Sequence, residues 1–97
     1  MTEPTRKLAA IVFTDIVGFT KLTANDQSKA SALLKQQRNL FQPMVSKFNG
    51  SWIKEVGDGL ILTFDTVTDA VNCCIKLQEA SKQIDDLDLR IGIHQGE

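Results

Sequence analysis

The chain has 97 residues, 42% hydrophobic and 24% charged, the composition of one folded domain with a single core rather than of a disordered tract. Eleven Lys and Arg stand against twelve Asp and Glu, so a formal net charge of −1 provides no basic field for coating nucleic acid. No apolar run approaches the roughly 20 residues of a membrane span, the N-terminus lacks the apolar core of a signal peptide, and Cys73 and Cys74 are adjacent and poorly placed to bridge each other; this fits a reducing, cytoplasmic setting.

Residues 1–6 read as a polar, flexible lead, and the domain is expected over 7–97. Lys7 to Thr14 is apolar and too short for a stable helix, which predicts a buried strand running into Asp15 and a turn at Gly18. Thr23-Ala-Asn-Asp26 has the spacing of a capping box, with Asp in place of the usual Glu. Behind it, Ala30, Leu33, Leu34, Gln37, Phe41, Met44, Val45 and Phe48 fall on one helical face, with an irregularity expected near Gln42 because Pro43 follows. Asn49-Gly50 should end that helix. Ser51–Val56 and Gly59–Phe64 are strands at hairpin spacing around Gly57-Asp58.

Thr66-Val-Thr-Asp69 starts a second amphipathic helix carrying Val67, Ala70, Val71, Cys74, Leu77 and Gln78. Leu87–His94 then alternates as a final strand. The order β-α(α)-β-β-α-β predicts an α+β, ferredoxin-like split β-α-β sandwich, provided the third strand lies between the first two. In that arrangement Asp15, at the end of strand one, and Asp58, in the hairpin turn, share one edge of the sheet although forty-three residues separate them.

Two converging carboxylates beside the backbone N–H groups of Ile16–Thr20 suit a hard divalent cation bound to phosphate oxygens. Spacing alone leaves open the plainer alternative that Asp15 caps a helix and Asp58 is a turn residue. His94, a lone histidine on its strand, reads as a strand residue rather than a ligand. Cys73 and Cys74 read as packing residues, Trp52 as a core or interface aromatic, and Asp85, Asp86 and Asp88 as a solvated loop.

Phe13-Thr-Asp-Ile-Val-Gly-Phe-Thr20, Lys54-Glu-Val-Gly-Asp-Gly59 and Arg90-Ile-Gly-Ile-His-Gln-Gly96 occur in one order and together resemble the catalytic domain of class III adenylyl/guanylyl cyclases. The resemblance covers nearly all of this chain and the N-terminal half of the family's domain, so it implies a partial, truncated cyclase fold. It implies that Asp15 and Asp58 are the catalytic, metal-binding aspartates for two Mg²⁺ or Mn²⁺ ions, with Ile16 lending a carbonyl. Gly18, Phe19 and Thr20 would hold nucleotide phosphates, joined by Arg90. Lys54 would read the purine; a lysine only donates, which favours adenine's ring-nitrogen acceptor over guanine.

The implied reaction is attack of the ribose 3′-hydroxyl of ATP on the α-phosphorus, giving 3′,5′-cyclic AMP and pyrophosphate in intracellular signalling. The implied partner is a second copy or a related cyclase domain completing the site, and no nucleic acid or membrane contact is implied. A fragment of this length should bind nucleotide better than it turns it over. The alternatives are a non-catalytic nucleotide-binding module of the same descent, a diguanylate-cyclase-like or polymerase-palm enzyme on a similar sheet, and a purely structural ferredoxin-like domain.

Overall fold

The computed structural model describes residues 9–96. The expected lead at 1–6, and Lys7 and Leu8 of the expected first strand, lie outside the described residues. Seven elements follow: β1 (Ala9–Ile16), α1 (Phe19–Asn25), α2 (Gln27–Lys47), β2 (Gly50–Val56), β3 (Gly59–Phe64), α3 (Val67–Ser81) and β4 (Leu89–Gly96). The four strands form one sheet in the order β2-β3-β1-β4 with every neighbouring pair antiparallel. β3 therefore lies between β1 and β2, and the α+β ferredoxin-like arrangement expected from the element order is the one present.

Strand alternation sorts residues between the faces. Ala10, Val12, Thr14 and Ile16 of β1 pair in register with Phe64, Leu62 and Leu60 of β3 and with Ile93, Ile91 and Leu89 of β4. This face is covered by α2 and α3, whose Leu33, Phe41, Val45, Ala70, Cys73 and Leu77 complete the core. The other face carries Ile11, Phe13 and Asp15 of β1, Ile61 and Thr63 of β3, and Arg90, Gly92 and His94 of β4. Trp52 is half-buried against the core side. The hairpin between β2 and β3 closes through Gly57 at φ 61, a left-handed conformation that glycine adopts without penalty.

Three local expectations are corrected. The helical region is two helices: Thr23 lies inside α1, where its Oγ1 donates to the Phe19 carbonyl at 3.0 Å. The N-cap of α2 is instead Asp26, whose Oδ1 accepts from the Lys29 N–H at 3.0 Å. An aspartate four residues into a helical pattern caps as well as continues it, and the chain takes an extended conformation there (φ −154). α2 then runs through Pro43 as one helix, as expected, without the irregularity expected near Gln42. Pro43 and Asn39, whose carbonyl the proline cannot serve, are both exposed, so water meets the orphaned group while buried Phe41 and Val45 hold the helix down. The first strand runs two residues past its expected end, to Ile16, and the last begins two residues later than expected, at Leu89, although Leu87, now just before β4, is buried as expected. Two helix boundaries hold: Asn49 (φ 62) terminates α2, and Thr66 caps the start of α3 by accepting from the Asp69 N–H at 3.0 Å.

Candidate active site

β1 places Asp15, its last residue but one, on the face opposite the core, ends at Ile16, and the chain then turns through Gly18 (φ 77) into α1. Two contacts fix that exit. The Val17 N–H donates to the Asp88 carbonyl at 2.7 Å, tying it to the segment before β4. The Ile16 N–H donates to Asp58 Oδ2 at 2.7 Å, tying it to the β2–β3 turn. The second contact joins the two places at which the sequence put a carboxylate. The β1–β3 register makes it unavoidable, because Thr14 pairs with Leu60 and so brings the next residues of β1 beside the turn.

Asp15 and Arg90 are direct partners across β1 and β4. The guanidinium grips both carboxylate oxygens, Nε to Oδ1 at 2.9 Å and Nη2 to Oδ2 at 3.0 Å. This forked, charge-assisted contact holds the Asp15 carboxyl below its usual pKa, burial opposing it slightly. The pair is open to water, Arg90 being 71% and Asp15 43% exposed at the side chain. Asp58 also contributes to the field at Arg90, so one cation faces two carboxylates.

These groups line a cleft of about 540 Å³ with Ile16, Gly18, Phe19, Thr20, Lys21 and Ala24. Of the residues singled out from sequence, the structure thus brings together Asp15, Ile16, Gly18, Phe19, Thr20, Asp58 and Arg90. Lys54 is not among them. It is exposed on β2, an edge strand, opposite Ile61 and next to a bulge in the β2–β3 pairing. Sequence reasoning missed Lys21 and Ala24, which follow the turn by one helical step. It also missed the Asp15–Arg90 pairing, which only the register of β1 and β4 creates.

The donor set fits a hard divalent cation. Asp15 and Asp58 offer only oxygens, and each ionised carboxylate has about four lone-pair positions. The one hydrogen bond on Asp58 Oδ2 leaves its other oxygen available. Among the described residues no three or more His, Cys, Asp or Glu side chains converge as a cage. Mg²⁺ does not require one, since it takes one or two carboxylates and completes its sphere with water and phosphate.

The other chemically active side chains lie apart from the cleft. Burial pushes the thiols up, Cys73 to about 12 and Cys74 to about 11, so neither forms a thiolate nucleophile near neutral pH. His94 is exposed on the open sheet face. Asp86 pairs with Lys29 at 2.8 Å. No helix among the described residues is long and apolar enough to cross a membrane.

The comparisons with known proteins bear on the family and the fold. Residues 1–97 match the family described as Adenylate and Guanylate cyclase catalytic domain. A Rhizobium meliloti (strain 1021) protein assigned as adenylate cyclase 3 is 32% identical over 100 residues, covering 95% of this chain and 17% of its own length. The adenylyl cyclase CyaB of P. aeruginosa superposes with a TM-score of 0.83 at 26% identity, over 98% of this chain and 59% of that one. The catalytic core of a rhodopsin-guanylyl cyclase with converted specificity, in complex with ATPαS, shares the fold with a TM-score of 0.86 at 21% identity, over 99% and 60%. The chain thus spans under a fifth of that curated relative and about three fifths of these solved structures. With its sheet order, its paired carboxylates and a family match along its whole length, the chain belongs to the adenylate and guanylate cyclase catalytic-domain family.

Proposed function

We propose that this chain is the metal-bearing half of an adenylate cyclase catalytic domain that converts ATP to 3′,5′-cyclic AMP and pyrophosphate. The observation that carries the reading is the convergence of Asp15, Asp58 and the Gly18–Thr20 turn on one cleft.

A divalent cation, or two, bound by Asp15, Ile16 and Asp58 would acidify the ribose 3′-hydroxyl and neutralise phosphate charge. The chain's own residues do the positioning. The Ile16 N–H fixes one oxygen of Asp58, so that carboxylate is oriented before any ligand arrives. The first N–H groups of α1, around Phe19 and Thr20, have no partner within the helix and are free for phosphate oxygens. Gly18, left-handed at φ 77, has no heavy atom within 4 Å of where a Cβ would stand, so glycine is needed there for conformation rather than for room. Arg90 and Lys21 supply positive charge at the rim of the cleft.

Lys54 supports adenine as the base, and its place on β2, outside the lining of this cleft, suits delivery to the cleft of a second cyclase domain. The working site would then be shared, with metal groups from one domain and base-reading groups from the other. Two free cysteines, both buried, suit a cytoplasmic setting.

The test is a titration with a non-hydrolysable ATP analogue, with and without Mg²⁺, with the matching GTP analogue as competitor. Amide shifts of Ile16–Thr20 and Asp58 should move only when the cation is present, and more for ATP than for GTP. Asp58→Ala should abolish the metal-dependent part while leaving the rest of the spectrum in place. Unchanged affinity of that variant at matched metal would remove Asp58 from the site.

A further inference from the structure

The geometry points to Arg90 as an exchangeable placeholder for the cation at Asp15: its guanidinium occupies the side of the carboxylate on which both oxygens face one partner, and it must let go before a divalent ion can be held by both. This deepens the proposed function and rests on it, because it concerns the same carboxylate pair.

Three observations carry it. The grip is bidentate, at 2.9 and 3.0 Å, so the side of Asp15 on which both oxygens face one partner is engaged. Asp58, by contrast, is held on one oxygen by a backbone N–H that need not move, so the two carboxylates are not equivalent: one is prepared for a ligand and the other is covered. Finally, Arg90 is 71% exposed and lines the same cleft as Gly18, Phe19 and Thr20, so it can swing away from Asp15 without crossing the core. A water-exposed pair is weak, which makes it displaceable. Without a cation, the guanidinium relieves repulsion between Asp15 and Asp58. With a cation on the carboxylates, repulsion drives the guanidinium outward, and a polyphosphate in the cleft gives it a new partner. Cation and nucleotide would then bind cooperatively, each favouring the swung-out arginine.

Removing the arginine also removes a positive charge, which by itself would strengthen cation binding, so the informative variant keeps the charge and loses the fork. Arg90→Lys should bind Mn²⁺, measured without nucleotide by water-proton relaxation, roughly two- to fivefold more tightly than the parent chain, the range an exposed ion pair of this kind commands. Arg90→Ala should bind at least as tightly as Arg90→Lys, and Asp15→Asn should lose the site. In a separate titration with Mg²⁺, the Arg90 Nε–H resonance of the parent chain should shift as the cation binds. If Asp15→Asn loses Mn²⁺ while Arg90→Lys binds like the parent, the placeholder is overturned and the cyclase half-site stands. If Asp15→Asn and Asp58→Ala both bind Mn²⁺ like the parent, the carboxylates do not hold the cation, and the half-site and the placeholder fall together.

Discussion

Asp15 shows how one side chain can be placed by two strands and tuned by a third group. Its strand register brings it to Arg90, and that contact lowers its pKa. A carboxyl with a lowered folded-state pKa contributes stability above its ordinary value near 4, and loses it as pH falls through the lowered value. The Asp15 side-chain carboxyl, followed by carbon-detected NMR, should therefore titrate below the ordinary aspartate range and return toward it in Arg90→Ala. Gln37 is the opposite case. It lies on the buried face of α2, 2% exposed, and its Oε1 has no hydrogen-bond partner among the described residues. A buried polar atom without a partner costs about 1–3 kcal/mol, and an apolar side chain of similar volume removes that cost. Gln37→Leu should leave urea stability unchanged or raise it by about 1 kcal/mol; a clear loss would mean that the oxygen has a partner.

At the scale of elements, the junction of α1 and α2 separates two readings of one short stretch. A capping box at Thr23 would make Thr23→Ala costly, whereas the structure gives the capping contact to Asp26. Asp26→Ala should cost about 1 kcal/mol in urea unfolding, as an N-cap loss does, and Thr23→Ala should cost clearly less. Thr66→Ala, which removes the cap of α3, should behave like Asp26→Ala. α2 is also tied to the edge strand through Arg38, whose Nε and Nη2 donate to Glu55 at 2.6 and 2.9 Å. α3 is tied to β4 through Gln78, whose Nε2 donates to the Leu89 carbonyl at 3.0 Å. These two ties hold helices to the strands that flank the candidate site.

For the whole molecule, the decisive asymmetry is that α2 and α3 cover one face of the sheet. Leu62, fully buried on the central strand β3, should cost about 2–5 kcal/mol on substitution by Ala, a large share of the stability of a domain this size. The other face exposes Phe13 at 48% and, on the edge hairpin, Val56 at 56%, and among the described residues both outer strands carry unpaired backbone edges. The chain should therefore self-associate as its concentration rises in sedimentation velocity runs, and Phe13→Glu should weaken that association. A clean monomer at high concentration would count against it.

Alternation in β1, β3 and β4, the helical stripes of α2 and α3, and the hairpin spacing around Gly57-Asp58 were all legible in the sequence. These depend on contacts between near neighbours along the chain, and together they named the fold. The three motif blocks named the family and eight candidate site residues, seven of which line the cleft together. The sequence did not reveal where α1 gives way to α2, because Thr23 and Asp26 both offer capping oxygens. It kept the helix through Pro43 but expected an irregularity near Gln42 that α2 does not show, because burial on either side outweighs one lost hydrogen bond. Only the tertiary structure decided that Asp15 meets Arg90, that Asp58 is held by Ile16, and that Lys54 stands outside the cleft. Those three facts follow from strand order and register across residues 42 to 75 positions apart, a cross-strand matching that no local pattern encodes.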